Sequence, residues 1–374
     1  MRYYLIAGER SGDLHGGNLV KALREHDPGA QFRGFGGEGM QQAGMELTVH
    51  YRQLAFMGFV AVLANLRTIS RLMTRCQEDI QSFRPDVVIL IDYAGFNMRI
   101  AKFAKANGYK VFYYISPKVW AWNTGRAWKL KASVDRMFCI LPFEPAFFRS
   151  FDWEVDYVGN PVLDAVKAFL PTHDFRAKHQ LDARPIVAVL PGSRKIELQR
   201  MVPVLVQVIR NHPQYQFVVA AVDTLPAHLY EPLRSLPQVK LVFEQTYDLL
   251  SHARAAIVTS GTAALETGLF KVPQVVIYRA ASIEYFIGIR FVKVKYISLV
   301  NLVANREVIR ELLQHQMTAE NIAAELTRLM EESDYRTEML NAYDQIYRQL
   351  DIGSASQNTA SLMVNYLREA KTQN

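Results

Sequence analysis

Two acidic side chains near the start of the sequence could take part in proton transfer. Asp92 follows the apolar run Val87–Ile91, and Glu9 lies in the glycine-rich segment Gly8–Gly17 after another apolar run. A carboxylate at the tip of an apolar strand is partly desolvated, which raises its pKa and suits it to general base catalysis. Asp92 is therefore the first candidate for a base and Glu9 the second, and capping of the following helix is the alternative role for Asp92.

A second set of residues could bind a diphosphate, because glycine-containing turns after apolar runs open helices whose free N–H groups attract anions. These residues are Gly192, Ser193, Arg194, Ser260, Gly261 and Thr262. The Arg194 guanidinium matches phosphate oxygens, although a surface arginine after a turn is the alternative. Glu266, one turn into its helix, could accept hydrogen bonds from ribose hydroxyls or only stabilise the helix dipole.

A third set follows predicted strands in the first half and could contact a second ligand. Its members are Ser11, Asp13, Asn97, Trp120, Trp122 and Arg126. Tryptophans beside basic residues can stack on a sugar or a base, but they can equally pack in a core. Ser11 and Asp13 could instead cap a helix.

Several familiar catalytic patterns are missing from the sequence. It contains no H-E-x-x-H, C-x-x-C or G-x-S-x-G motif and no carboxylate cluster with metal spacing. The run Gly34–Gly39 matches G-x-G-x-x-G, but no acidic residue ends a clear strand about twenty residues later, as a dinucleotide site requires. We therefore expect a reaction on a nucleotide or sugar-phosphate without a metal or a cofactor.

The elements that must position these residues alternate between short Val/Ile-rich runs and longer amphipathic stretches. Such runs are typical of parallel strands covered by helices on both faces. The pattern predicts two doubly wound, Rossmann-like α/β domains facing a cleft, with ligands at the carboxyl ends of the strands. We place the domains at residues 1–165 and 166–340, and an all-helical tail at 341–374 packs on the first domain or on a partner subunit.

Composition narrows the class of protein. The chain has 374 residues, of which 50% are hydrophobic and 21% charged, which excludes a disordered or collagen-like chain. Cys76 and Cys139 form no disulfide framework, and the start of the sequence does not read as a signal peptide, so a cytoplasmic location is expected. The formal net charge of +7 favours anionic partners, but no nucleic-acid-binding motif is visible, so we expect no nucleic-acid partner.

One uncharged run, Leu54–Leu66, has two possible roles. It is too short to cross a bilayer as a helix. It could form a buried core helix, or it could dip into a membrane surface while nearby arginines face anionic headgroups. In the second case the membrane contacts are Phe56, Phe59, Val62 and Leu63.

Several of these motifs occur together and in order along the chain. They include Gly8-Glu9 with Ser11-Gly12-Asp13, Trp120-Ala121-Trp122, Pro142-Phe143-Glu144, Pro191-Gly192-Ser193-Arg194 with Glu197, and Ser260-Gly261-Thr262-Ala263 with Glu266. In this respect nearly the whole chain resembles the lipid-A-disaccharide synthase family. The resemblance implies a GT-B fold and transfer of 2,3-diacylglucosamine from UDP-2,3-diacylglucosamine to 2,3-diacylglucosamine 1-phosphate, with a β-1,6 link and inversion.

The resemblance also implies roles and partners. Asn301, unremarkable by itself, is carried over as a donor-site residue, and the third set of residues becomes the acceptor site. The enzyme would lie peripherally on the inner membrane and could form a homodimer. The alternatives are another UDP-sugar enzyme, such as a UDP-N-acetylglucosamine 2-epimerase or the lipid II-forming glycosyltransferase, and a basic nucleic-acid-binding protein.

Overall fold

The computed structural model describes residues 1–54, 66–259, 261–280 and 294–372. The chain divides into two compact units. Unit 1 comprises Met1–Pro161 and Asp351–Asn374, and unit 2 comprises Val162–Leu350. The predicted boundaries at residues 165 and 340 fall inside two helices, Pro161–Ala168 and Asp334–Leu350.

Unit 1 is built on a parallel sheet. Its described strands are β1 (Arg2–Ala7), β2 (Gln31–Gly36), β3 (Glu46–His50), β4 (Val87–Ile91), β5 (Lys110–Tyr114), β6 (Arg136–Cys139) and β7 (Asp156–Tyr157), in the spatial order β3-β2-β1-β4-β5-β6-β7. Its described helices are α1 (Arg10–His26), α2 (Glu38–Gln42), α3 (Leu66–Phe83), α4 (Ala94–Ala106), α5 (Val119–Trp122), α6 (Arg126–Ser133) and α7 (Glu144–Arg149), with a 3-10 turn at Tyr51–Gln53.

The central strands of unit 1 are buried on both faces, as their continuous apolar sequences predict. Alternate side chains enter two separate cores. Tyr4, Ile6, Val88 and Leu90 face α3, α4 and α6, whereas neighbouring side chains of the same strands face α1. Both faces of this sheet are therefore covered by helices.

Unit 2 is built on a second parallel sheet. Its described strands are β8 (Ile186–Leu190), β9 (Gln216–Ala221), β10 (Val239–Phe243), β11 (Ala255–Thr259), β12 (Gln274–Tyr278) and β13 (Glu311–Leu313), in the order β10-β9-β8-β11-β12-β13. The described helices from residue 161 onwards are α8 (Pro161–Ala168), α9 (Phe175–Lys178), α10 (Lys195–Arg210), α11 (Glu231–Arg234), α12 (Thr246–His252), α13 (Thr262–Leu269), α14 (Leu299–Ala304), α15 (Ala319–Met330), α16 (Asp334–Leu350) and α17 (Ala355–Thr372), with 3-10 turns at Ala227–Leu229 and Gln314–Gln316.

The last helix, α17, belongs to unit 1 although it follows unit 2 in sequence. It packs along α1. Its apolar residues Ala360, Met363, Val364 and Leu367 are buried in the same core as the α1 side chains. Unit 1 is therefore assembled from both ends of the chain.

The predicted fold class is confirmed: both units are α/β with parallel sheets, and the C-terminal region is helical. The strands that the sequence pattern missed are β3, β7 and β13, which all lie at sheet edges and are short or half-exposed. None of the described helices is long and apolar enough to span a membrane.

Candidate functional site

In unit 1 the segment after β4 is held in a strained turn. Asp92 and Tyr93 both have positive φ angles, of 45° and 47°, a region that residues other than glycine rarely adopt. The backbone oxygen of Asp92 accepts hydrogen bonds from Tyr113 Oη at 2.5 Å and from Asn97 Nδ2 at 2.8 Å. Two buried side chains therefore fix the backbone at the predicted base, and this compensates for the strain.

The Asp92 side chain is half-buried at the end of β4. Burial raises the pKa of Asp92, and the positive charge of Lys118 opposes this shift. Lys118 precedes α5, and sequence reasoning did not connect it with Asp92. A carboxylate whose pKa is raised can accept a proton near neutral pH more readily than an exposed one.

Glu9 lies at the same carboxyl-terminal end of the central strands as Asp92. Ala7 of β1 pairs with Ile91 of β4, so the loops after the two strands leave the sheet at one level. The Tyr93 ring packs directly on Gly8, where a β-carbon would approach Cδ1 of that ring to 2.3 Å. Burial raises the pKa of Tyr93, and the charge of Glu9 adds to this shift. Glu9 therefore lies close enough to influence the Tyr93 side chain, which directly follows Asp92 in sequence.

Asp13 has a supporting position. It is buried, and its carboxylate accepts hydrogen bonds from the backbone N–H groups of Gly37 at 2.6 Å, Gly39 at 2.9 Å and Met40 at 3.1 Å. These are the first N–H groups of α2, which Asp13 caps from another helix. The glycine-rich segment after β2 is thus shaped to meet a carboxylate of the protein, in agreement with our rejection of a dinucleotide site there.

Glu144 is a buried carboxylate that sequence reasoning recorded only as part of a motif. It accepts hydrogen bonds from Ser116 Oγ, from Trp120 Nε1 at 3.0 Å, and from the backbone N–H groups of Ile140 at 3.1 Å and Leu141 at 2.9 Å. Burial raises its pKa, and these hydrogen bonds oppose the shift. Glu144 therefore joins the segment after β5 to the segment after β6.

We expect Glu144→Gln to destabilise unit 1 by about 2–3 kcal/mol, because an amide nitrogen would face N–H or O–H donors and leave them unpaired. The measurement is urea unfolding followed by tryptophan fluorescence. The matched control is Glu154→Gln, since Glu154 is exposed and its ion pair within the described part of the chain is with Arg149, and such pairs contribute little. Equal stability of the two variants would contradict this account of Glu144.

The remaining predicted residues of unit 1 are placed as follows. Ser11 is exposed in the first turn of α1, and Arg126 is half-buried at the start of α6. Trp120 is buried, and its ring and that of Phe143 meet edge to face. Asn97 is fully buried and serves the backbone of Asp92.

Some predicted residues lie outside the described part of the structure. They are Ser260 and the four candidate membrane contacts Phe56, Phe59, Val62 and Leu63. The backbone of Trp122 ends α5, but its side chain is also outside the described set.

In unit 2 the two predicted anion-binding turns leave neighbouring strands at one level, because Leu190 of β8 pairs with Val258 of β11. Gly192 has a φ of +105°, and a β-carbon there would approach Glu197 Oε2 to 2.3 Å. Glu197 in turn accepts hydrogen bonds from the N–H groups of Ser193 at 3.0 Å and Arg194 at 3.2 Å. A carboxylate of α10 thus holds the two N–H groups that immediately precede the helix, a contact that the sequence analysis did not predict.

The first turn of α13 is different. Gly261 precedes it and Thr262 is exposed at its first position. No side chain among the described residues caps this turn, and it contains no acidic residue. Of the two predicted turns, the α13 N-terminus is the one whose N–H groups face no carboxylate of the described chain, so it suits an external anion better. The exposed Arg194 guanidinium, 3.4 Å from Glu197 Oε1, adds a cation on the adjacent turn.

Glu266 lies on α13 beside a cavity of about 330 Å³, lined also by Phe169, Gln245 and Tyr247. Tyr247 Oη donates a hydrogen bond to Glu266 Oε1 at 2.9 Å. Burial raises the pKa of Glu266, and this hydrogen bond opposes the shift. One carboxylate oxygen is therefore oriented by Tyr247, a residue that sequence reasoning missed.

Asn301 is fully buried, and both ends of its amide are engaged within unit 2. Nδ2 donates to the Ile309 backbone oxygen and to Glu311 Oε1, both at 2.9 Å, and Oδ1 accepts from the N–H groups of Val308 at 2.7 Å and Ile309 at 3.0 Å. Its described contacts hold the segment between α14 and β13 in place. Among the described residues no group of three or more His, Cys, Asp or Glu side chains could hold a metal ion.

Comparison with known families decides the classification of this chain. The family model described as lipid-A-disaccharide synthetase matches residues 3–365. The chain belongs to the lipid-A-disaccharide synthase family. A lipid-A-disaccharide synthase of Syntrophus aciditrophicus is 38% identical over 98% of both chains. The lipid-A-disaccharide synthase of Geobacter sulfurreducens is 36% identical over 98% of this chain and 97% of its own. The predicted family, and with it the prediction of a glycosyltransferase, is confirmed.

Solved structures of more distant proteins share the fold. The UDP-GlcNAc 2-epimerase of Neisseria meningitidis, bound to UDP-GlcNAc, superposes with a TM-score of 0.68 at 14% identity and covers 99% of this chain and 100% of its own. The kitacinnamycin glycotransferase gives a TM-score of 0.68 at 14% identity, over 98% of this chain and 99% of its own. At this identity the likeness concerns the fold, which is of the GT-B type.

Proposed function

We propose that this family member transfers 2,3-diacylglucosamine from UDP-2,3-diacylglucosamine to 2,3-diacylglucosamine 1-phosphate, giving a β-1,6-linked disaccharide 1-phosphate and UDP. The observation that carries the proposal is the Asp92 turn. A half-buried carboxylate at the carboxyl-terminal end of a central strand, with its backbone oxygen fixed by Tyr113 and Asn97, is suited to remove a proton from a hydroxyl group.

In the proposed mechanism the 6-hydroxyl oxygen of the acceptor attacks the anomeric carbon of the donor in line with the leaving group. The bond from that carbon to the diphosphate oxygen breaks, and its electron pair remains on UDP. Asp92 takes the proton of the hydroxyl, and Glu9 is the second candidate for this step. A single displacement of this kind inverts the configuration at the anomeric carbon.

The leaving diphosphate gains negative charge as the bond breaks. We assign its stabilisation to the N-terminal turn of α13, with Ser260, Gly261 and Thr262, and to the Arg194 guanidinium with Gly192 and Ser193 beside it. Glu266, oriented by Tyr247, is assigned to the ribose hydroxyls. Asn301 supports the donor site through the backbone that it holds.

We assign the acceptor to unit 1. Ser11, Trp122 and Arg126 are the proposed contacts, and the basic Arg126 suits the acceptor phosphate. We assign a supporting role to Asp13, Asn97 and Trp120, because their described hydrogen bonds are with other groups of the protein. We also propose a peripheral position on the inner membrane, with contact through Phe56, Phe59, Val62 and Leu63.

Mass spectrometry of the product tests the proposal. Purified protein is incubated with UDP-2,3-diacylglucosamine, with and without 2,3-diacylglucosamine 1-phosphate. We expect a disaccharide 1-phosphate and UDP only when the acceptor is present. An isomerised UDP-sugar formed without acceptor, which has an unchanged mass and is detected by proton NMR, would instead identify an epimerase, the activity named for one structural neighbour.

A further inference from the structure

Helices α4 and α6 of unit 1 carry an unusual concentration of positive charge. Each contains three basic residues and neither contains an aspartate or a glutamate. The formal net charge of the whole chain is +7, so these two helices hold nearly all of the excess. Since α4 and α6 pack against each other on one face of the sheet, their charges share one surface.

Between the two helices lies an open groove of about 670 Å³. Its floor is apolar, because Met98, Ala101 and Leu130 line it and the last two are buried. Its rim is cationic and is formed by Arg99, Lys102, Lys105 and Lys129. We name this feature the α4–α6 groove.

Most of the rim charge is not neutralised by the protein. Lys105 forms an ion pair with Asp135 at 2.5 Å. The side chains of Arg99, Lys102 and Lys129 are exposed and have no ion-pair partner among the described residues. Arg99, Lys102 and Lys105 are spaced by three residues along α4, and like charges at this spacing weaken a helix. A bound anion would relieve that repulsion.

The groove also suits an amphiphile better than a small anion. Trp128, next to Lys129 on α6, is 51% exposed. Its ring contacts Phe151 and lies 5.3 Å from Lys131 Nζ. An exposed tryptophan next to lysines is typical of a surface that meets the headgroup region of a bilayer.

We propose that the α4–α6 groove binds the headgroups of anionic phospholipids and so holds unit 1 on a negatively charged bilayer. The choice of a lipid over another polyanion rests on the proposed function, whose diacylated substrates reside in a bilayer. The contact uses the described residues of α4 and α6 and is separate from the predicted contacts at Phe56–Leu63. Cations near a charged bilayer each strengthen binding, so several together give a marked dependence on lipid charge and on salt.

The test is flotation of the full chain with vesicles of phosphatidylcholine, with or without phosphatidylglycerol. We expect the triple variant Arg99→Gln, Lys102→Gln, Lys129→Gln to bind anionic vesicles at least about 10-fold more weakly, with no change on vesicles of phosphatidylcholine alone. The matched control is Lys21→Gln, Lys178→Gln, Arg210→Gln, which removes the same charge at exposed positions elsewhere. A thermal unfolding midpoint at or above that of the parent protein shows that each variant is folded.

Two results would overturn the proposal. Equal weakening in both triple variants would mean that only net charge matters. Tighter binding of a single-stranded RNA than of anionic vesicles, lost in the groove variant alone, would assign the groove to a nucleic acid. Vesicle binding is measured without turnover, so its outcome is independent of the proposed reaction. Disaccharide formation from detergent-dispersed substrates tests that reaction separately and should be the same in both triple variants.

Discussion

Replacing Asp92 by asparagine is expected to lower kcat by about 10²- to 10⁴-fold, the range that one well-placed base contributes. UDP affinity should stay unchanged, since the donor is assigned to unit 2. The side-chain volume is conserved, and the backbone oxygen that Tyr113 and Asn97 hold is still present. The measurement is the initial rate of UDP release with saturating acceptor, together with calorimetric titration of UDP.

The same variant should be at least as stable as the parent protein at neutral pH. Burial raises the pKa of Asp92 in the folded protein, so the folded state binds this proton more tightly than the unfolded state. The contribution of Asp92 to stability is therefore full at low pH and is lost as pH rises through the raised pKa. Asparagine cannot ionise and avoids that loss, which a thermal unfolding series across pH would reveal.

For the parent enzyme, kcat/KM should fall as pH drops through the pKa of Asp92, because only the carboxylate accepts a proton. Glu9→Gln is the comparison variant, since Glu9 lies at the same sheet edge and is the second candidate. Full activity of Asp92→Asn with a large loss in Glu9→Gln would transfer the base to Glu9.

Arg194→Ala is expected to weaken UDP binding and to lower kcat by about 10²- to 10³-fold, as loss of one group that stabilises developing charge does. The fold should be unaffected, because the Arg194 side chain is 58% exposed and its ion pair with Glu197 is local. Titration with UDP and steady-state kinetics measure the two effects.

The control for this variant is Arg210→Ala, an exposed arginine at the other end of α10. It should keep the UDP affinity and rate of the parent protein. If UDP binds Arg194→Ala as tightly as it binds the parent, the diphosphate is not held at the β8–α10 turn.

The central strands could be predicted from sequence because burial on both faces leaves a continuous apolar run, as in Val87–Ile91 and Ile186–Leu190. Three of the four edge strands leave no such signal. Strand β7 has two residues, and β13 has three with only Leu312 buried. Their pairing is set by the neighbouring strand of the sheet and not by their own composition.

The loops that carry the candidate site were predictable from strand ends, but the partners of their side chains were not. Asp13 caps a helix that begins 25 residues later, and Glu144 reaches back to Ser116 across two strand ends. Glu197 illustrates the opposite case, since it accepts from the N–H groups of Ser193 and Arg194, which lie only four and three residues before it.

The return of α17 to unit 1 has a consequence for biosynthesis. Unit 2 is one continuous stretch, Val162–Leu350, and can fold as soon as this stretch has left the ribosome. Unit 1 begins first but must wait for Ala360, Met363 and Leu367 to cover the apolar face of α1. Until α17 is synthesised, the apolar face of α1 is exposed and can bind chaperones or aggregate. A nonsense mutation just before α17 should therefore prevent unit 1 from folding. Unit 2, which is complete at that point, could still fold.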